Sequence, residues 1–204
     1  MSALVGRMVP YIAAWSDENR LPAVAVASPM GRLRYVDESE ADRDSNGVLW
    51  VRHDDQPGAG VPVFDEVHPL RQRHAMQNLL CQVCAQEPDR NADGVLWVMV
   101  DNRDDWSKWP NRMLTYDAPV CAPCARIASR SCPALRNRKV LIRSRTHPVM
   151  AVKGDIYAQS PAGLVVTGRD MVMLDHPMIR WTVAHQLLRR LSGCVIVGTS
   201  VDDL

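Results

Sequence analysis

Cys81-Gln82-Val83-Cys84 and Cys121-Ala122-Pro123-Cys124 are two like-spaced cysteine pairs, and their reading decides the centre of the fold. A C-x2-C pair points two thiolates at one metal ion, and two pairs fill the four tetrahedral positions of a structural zinc site. Thirty-six residues lie between Cys84 and Cys121, against the roughly 15–20 of the commonest paired-cysteine zinc pattern. The interval has to hold a strand hairpin and a long loop. Residues 94–100 (GVLWVMV) read as a buried strand, and residues 101–111 as a polar, tryptophan-containing loop. The second pair opens a helical run over residues 122–131, which puts Cys121 and Cys124 at a helix N-terminus, where the dipole favours thiolate.

Three other readings of these cysteines stand beside the zinc site. Residues 120–128 resemble the C-x-P-C active-site turn of thioredoxin, which would make Cys121 a nucleophile. That reading leaves Cys81 and Cys84 unused and has only residues 112–117 as the preceding strand. The six cysteines offer disulfides, but no charged segment followed by an apolar one opens the chain, so an oxidising compartment is not expected. Cys132, His68 or His74 could replace one of the four ligands. Cys194, in a late apolar run, reads as a small buried hydrophobe.

With 204 residues and 47% hydrophobic content, the chain can bury one sizeable core. No apolar run approaches the about 18 residues of a membrane-spanning helix, and a cytoplasmic protein is expected. Arginine outnumbers lysine 21 to 3, a bias that suits coding by GC-rich DNA, in an actinobacterium or one of its phages. Net charge is +1, but it is unevenly placed. Residues 37–66 hold nine acids and two arginines, whereas residues 118–154 hold eight basic residues and no acid. Arg126, Arg130, Arg136, Arg138, Lys139, Arg143 and Arg145 would form one electropositive face suited to nucleic acid. The plainer expectation is that these residues pair with the acidic loop or are separately solvated.

The organisation reads as α+β: β-rich flanks around a four-cysteine module, then C-terminal strands and an amphipathic helix. The expected segments are a β-rich 1–66, a zinc module with a leading helix over 67–136, and strands plus a helix over 137–204, packed as one body. Residues 47–51 and 94–98 repeat GVLWV, so Trp50 and Trp97 are expected in a sheet over one core. Residues 68–80 read as a helix begun by Pro69, with His68 and His74 as packing or surface residues. Residues 140–144, 149–157 and 164–167 read as strands. Asp175 reads as a helix cap, and residues 178–191 as a helix with Ile179, Val183, Leu187 and Leu191 near one face. His185 borders the core on that helix, Gly193 ends it, and residues 194–197 close with a strand.

A knuckle at Cys81 and Cys84, a strand ending at Asp101, and a knuckle plus helix at Cys121 and Cys124 together resemble the zinc treble clef of HNH endonucleases. The resemblance covers about 45 residues and implies a clef held by zinc. In that family the interval between the pairs carries histidines that bind the catalytic metal and activate water. Residues 85–120 contain no histidine. Asp101, Asp104 and Asp105 could bind a cation but cannot act as that base, so the resemblance implies an inactive nuclease. Walker, dinucleotide-binding, nucleophile-elbow and H-E-x-x-H motifs are absent. The expectation is a structural Zn2+ protein that binds another protein or nucleic acid without catalysis. An enzyme of unrecognised type is the remaining alternative.

Overall fold

The computed structural model describes residues 8–105, 107–136 and 138–204. Residues 1–7 of the expected N-terminal segment, Trp106 of the expected loop, and Asn137 lie outside them. Five strands come first: β1 (Ala13–Trp15), β2 (Ala25–Ala27), β3 (Leu33–Tyr35), β4 (Leu49–Trp50) and β5 (Pro62–Val67). Helix α1 (Pro69–Asn78) follows, then β6 (Arg90–Asn91), β7 (Gly94–Val100) and β8 (Met113–Thr115). Helix α2 (Ala122–Ser131) leads into β9 (Lys139–Thr146), β10 (Val149–Ser160), β11 (Gly163–Met173) and β12 (Thr182–Gly198).

The main sheet runs β11-β10-β12-β9-β7-β6, with β4 and β8 also paired to β12. β1 pairs with β5, and β2 with β3, in two small sheets. Along β7 the side chains alternate between two cores, which is why its sequence is apolar throughout. Leu96 and Val98 pack with the cysteines, Val120 and Leu141, whereas Val95, Trp97 and Met99 pack with Met113, Ile142 and Leu191. Trp50 belongs to a third cluster with Met76, Val152 and Leu187, so the two repeats serve different cores instead of the expected shared one.

Helix α1 spans residues 69–78, within the expected run 68–80. His68 caps it, accepting from the Arg71 amide at 3.4 Å, and Leu79 ends it in the left-handed conformation. Buried Gln72 fastens it to β12, donating to the Leu187 carbonyl at 2.9 Å and accepting from the Leu187 amide at 2.9 Å. Arg189 of β12 donates to the Met76 carbonyl at 2.8 Å and to the Gln77 carbonyl at 3.2 Å. A cation thus meets the negative end of the helix dipole.

The expected helix over residues 178–191 is a strand. Pro177–Trp181 makes a short 3-10 turn capped by His176, not by Asp175, and β12 begins at Thr182. Val183, Leu187 and Leu191 are four apart, a spacing that puts apolar residues on one helix face and also on one strand face. In the structure they enter three different clusters. Pairing with β4, β8, β9 and β10 supplies backbone hydrogen bonds that a helix would have made internally. Gly193, expected to end the helix, lies within β12 with φ of +60°, where the strand passes from β8 to β9.

Candidate metal centre

Each half of the cysteine centre is a local backbone device. After α1, the Cys81 amide donates to the Gln86 carbonyl at 2.7 Å and the Ala85 amide to the Cys81 carbonyl at 2.8 Å. Ala85 takes φ of +57°, closing a tight knuckle that turns Cys81 and Cys84 to the same side. On the other half Cys121 occupies the N-cap of α2, with Pro123 in its first turn. The Ala125 amide reaches the Cys121 carbonyl at 2.9 Å, and Cys124 falls within the same turn.

Long-range backbone bonds then bring the halves together. The Gln82 amide donates to the Pro119 carbonyl at 2.9 Å, and the Asp89 amide to the Val120 carbonyl at 2.9 Å. The Val120 amide returns to the Leu96 carbonyl of β7 at 3.0 Å, while the Tyr11 amide binds the Val83 carbonyl at 3.0 Å. The four sulfurs consequently lie within 4.8 Å of one another. The Cys84 and Cys121 sulfurs are 3.8 Å apart. A disulfide needs about 2.05 Å, and all six cysteines are free. A tetrahedron with bonds of about 2.3 Å to sulfur has edges of about 3.8 Å, so the donor set fits one metal ion.

Cys81 and Cys124 are buried, and Cys84 and Cys121 are half-buried. Burial pushes the Cys124 thiol far up, and its hydrogen bond with Cys121 adds to this. A bound cation would reverse that preference by taking the thiolates as ligands. The α2 N-terminus also stabilises negative sulfur. All four donors are thiols, so the set leaves no position for a water or substrate.

The alternative ligands are employed elsewhere. Cys132 packs against the same core but is outside the four-sulfur group. His68 lies 2.6 Å from the Asp54 carbonyl through Nε2, and His74 bonds the Tyr11 hydroxyl at 3.0 Å. The thioredoxin reading gives way because Cys121 and Cys124 belong to a four-sulfur group rather than to an isolated pair. Asp101 accepts from Arg103 at 2.6 Å and, with Asp104 and Asp105, forms no three-ligand cluster among the described residues. A second acid group, Glu18, Asp55 and His68, is already filled by a cation. Arg71 Nη1 lies 2.5 Å from both Glu18 and Asp55. Nothing in the sequence marked that pair, since Glu18 and Arg71 are 53 positions apart and meet only through packing.

The basic stretch divides. Arg143 is buried and donates to Asp89 at 2.5 Å, and Arg145 pairs with Asp93 at 2.9 Å. Arg143 therefore does not share an exposed face with α2, because it sits on the same side of β9 as Leu141, against the cysteine core. Arg130, Arg136 and Arg138 are exposed, and Arg126 and Lys139 half-exposed. None of these five has a carboxylate side chain within ion-pair distance among the described residues. The acidic loop pairs instead with its own two arginines, Arg43 on Glu38 at 2.8 Å and Arg52 on Asp42 at 2.7 Å and Asp37 at 3.0 Å.

No helix among the described residues is long and apolar enough to cross a membrane. No family model, curated protein or solved structure matches this chain.

Proposed function

We propose that Cys81, Cys84, Cys121 and Cys124 hold one zinc ion in a structural site of treble-clef layout, and that the chain works as a non-catalytic binding or accessory protein. The observation that carries this is the closed set of four sulfurs within 4.8 Å of one another. Knuckle, β6–β7 hairpin, second knuckle and α2 follow in the order of a treble clef. Zinc suits the set because a d10 ion without geometric preference accepts a tetrahedron of four thiolates. A reducing, cytoplasmic compartment suits free thiols of this kind. The metal would staple the N-terminal arm, the sheet and α2 at one point. Elemental analysis of the purified protein should give one zinc per chain. Metal-free protein that keeps its full melting temperature, or iron in the site, would overturn the reading.

A second reading rests on five basic residues that, among the described residues, form no ion pair with a carboxylate side chain, although Arg126 donates to the Leu204 carbonyl at 2.9 Å and Arg138 to the Asp101 carbonyl at 3.4 Å. Arg126, Arg130, Arg136, Arg138 and Lys139 form a patch from α2 into β9 that could contact phosphates of a nucleic acid. A gel shift whose affinity falls steeply with salt, and which is lost in a combined Arg130→Ala, Arg136→Ala, Arg138→Ala variant, tests it.

A further inference from the structure

A cleft of about 450 Å3 lies away from the cysteines, lined among others by Arg20, His53, Glu66, Lys153, Arg169 and His185. Its size falls in the range of small-molecule sites. The elements around it depart from regular sheet in a specific way. Lys153 of β10 pairs with Gln186 of β12, but Gly154 pairs with Ala184, so His185 is the extra residue of a β-bulge. His185 and Gln186 both line the cleft, whereas consecutive residues of a regular strand face opposite ways. Gly154 permits the bulge, since a side chain there would put its Cβ 2.2 Å from the Val183 carbonyl oxygen.

Asp155 lies behind this lining, bonded to three of its residues. It is 7% exposed and is shared by three groups: His185 Nε2 at 2.9 Å, Arg169 Nε at 2.7 Å and Arg20 Nη1 at 3.2 Å. One carboxylate thus orients an imidazole and two guanidinium groups, the two arginine side chains being about half exposed (48% for Arg20, 53% for Arg169). Arg169 makes its ion pair through Nε, so its two terminal nitrogens keep their donors. Lys153 has no ion pair among the described residues, and Glu66 is the one acid at the rim. A hydrogen bond to a carboxylate fixes which imidazole nitrogen faces the other way, here Nδ1 of His185. A metal ion does not suit a wall of three cations, whereas arginine forks and a lysine point charge match phosphate oxygens.

We propose that this cleft binds a phosphate-bearing small molecule, with Arg20, Lys153 and Arg169 as its charge partners and His185, aimed by Asp155, as its proton-exchanging contact. The site is independent of the metal reading, since none of its residues touches the cysteine centre. Binding is tested on the metal-replete protein by calorimetry with inorganic pyrophosphate and inorganic phosphate at constant ionic strength. Saturable binding at one site is expected, weakened about tenfold by Lys153→Gln and unchanged by Arg136→Gln on the α2 side. The imidazole proton resonance that disappears in His185→Gln should move during the titration. No saturable binding at millimolar pyrophosphate, equal losses in the Lys153 and Arg136 variants, or a His185 resonance that stays fixed while binding saturates would each overturn the proposal.

Discussion

Arg143 Nη2 and Asp89 Oδ1 meet at 2.5 Å and tie the central sheet to the first cysteine knuckle. Arg143 lies opposite Leu96 in the β7–β9 ladder, and the Leu96 amide donates to the Asp89 carbonyl at 3.0 Å. Side chain and backbone of Asp89 therefore fasten it to β9 and to β7, neighbouring strands of the central sheet. The pair explains why a basic residue can occupy a buried strand position.

Removing one partner strands the other. Asp89→Ala should cost about 2–3 kcal/mol, less than the 3–5 kcal/mol of a fully buried pair because Asp89 is 32% exposed. Urea unfolding at neutral pH measures it. Arg143→Ala should lower the unfolding midpoint and leave any nucleic-acid retention unchanged, and the reverse result would return Arg143 to a binding face.

The cysteines should separate cleanly. Cys121→Ser is expected to lose the metal and much of the stability, since metal affinity in such sites is folding free energy. Cys194 lies on β12 with its sulfur 3.6 Å from the Pro110 carbonyl, apart from the cluster. Cys194→Ser and Cys132→Ser should each retain one metal per chain by elemental analysis, and a metal-free Cys132→Ser protein would show that the ligand set is wrong.

Acid should destabilise the fold in two steps. Burial pushes the Glu18 carboxyl up, but hydrogen bonds from Arg71 and from the Trp15 and Gln56 amides outweigh it and hold it at about 2. The Arg52 hydrogen bond holds Asp42 at about 2. Burial likewise raises Asp155, but Arg169 and His185 bring it to about 2. These depressed carboxylates contribute stability above their ordinary range near about 4 and lose it as pH falls toward about 2. Burial pushes His68, His147 and His185 below their ordinary value, so charging them costs stability as pH falls through about 6.5. Asp117 works the other way: burial raises it to about 6, and its contribution is lost as pH rises through that value. Urea midpoints from pH 8 to pH 3 should decline, and Glu18→Gln should flatten the part below about pH 5. An unchanged slope in that variant would show that Glu18 is not held low.

Gly154→Ala should cost about 1–3 kcal/mol, because the new Cβ meets backbone that cannot swing aside. Gly168→Ala, one strand over with nothing within 4 Å of the added atom, is the control. Thermal melts of the two variants check the difference, and equal melting temperatures would mean that the bulge tolerates a side chain.

Local signals carried much of this protein. The C-x2-C spacing, the N-cap position of Cys121, Pro69 at a helix start and the unbroken apolar run of β7 each depend on neighbours within one turn or one strand. The structure places the corresponding elements at residues 69–78, 94–100 and 122–131. Tertiary pairing decided the rest. The four-residue spacing of Val183, Leu187 and Leu191 fits a helix and a strand equally, and only the hydrogen-bonding edges of β4, β8, β9 and β10 resolve it. Whether Arg143 faced solvent or a carboxylate depended on Asp89, 54 positions away. The bulge that turns His185 toward Asp155 exists because one strand carries a residue more than its partner, a mismatch of registers that neither strand's sequence contains alone.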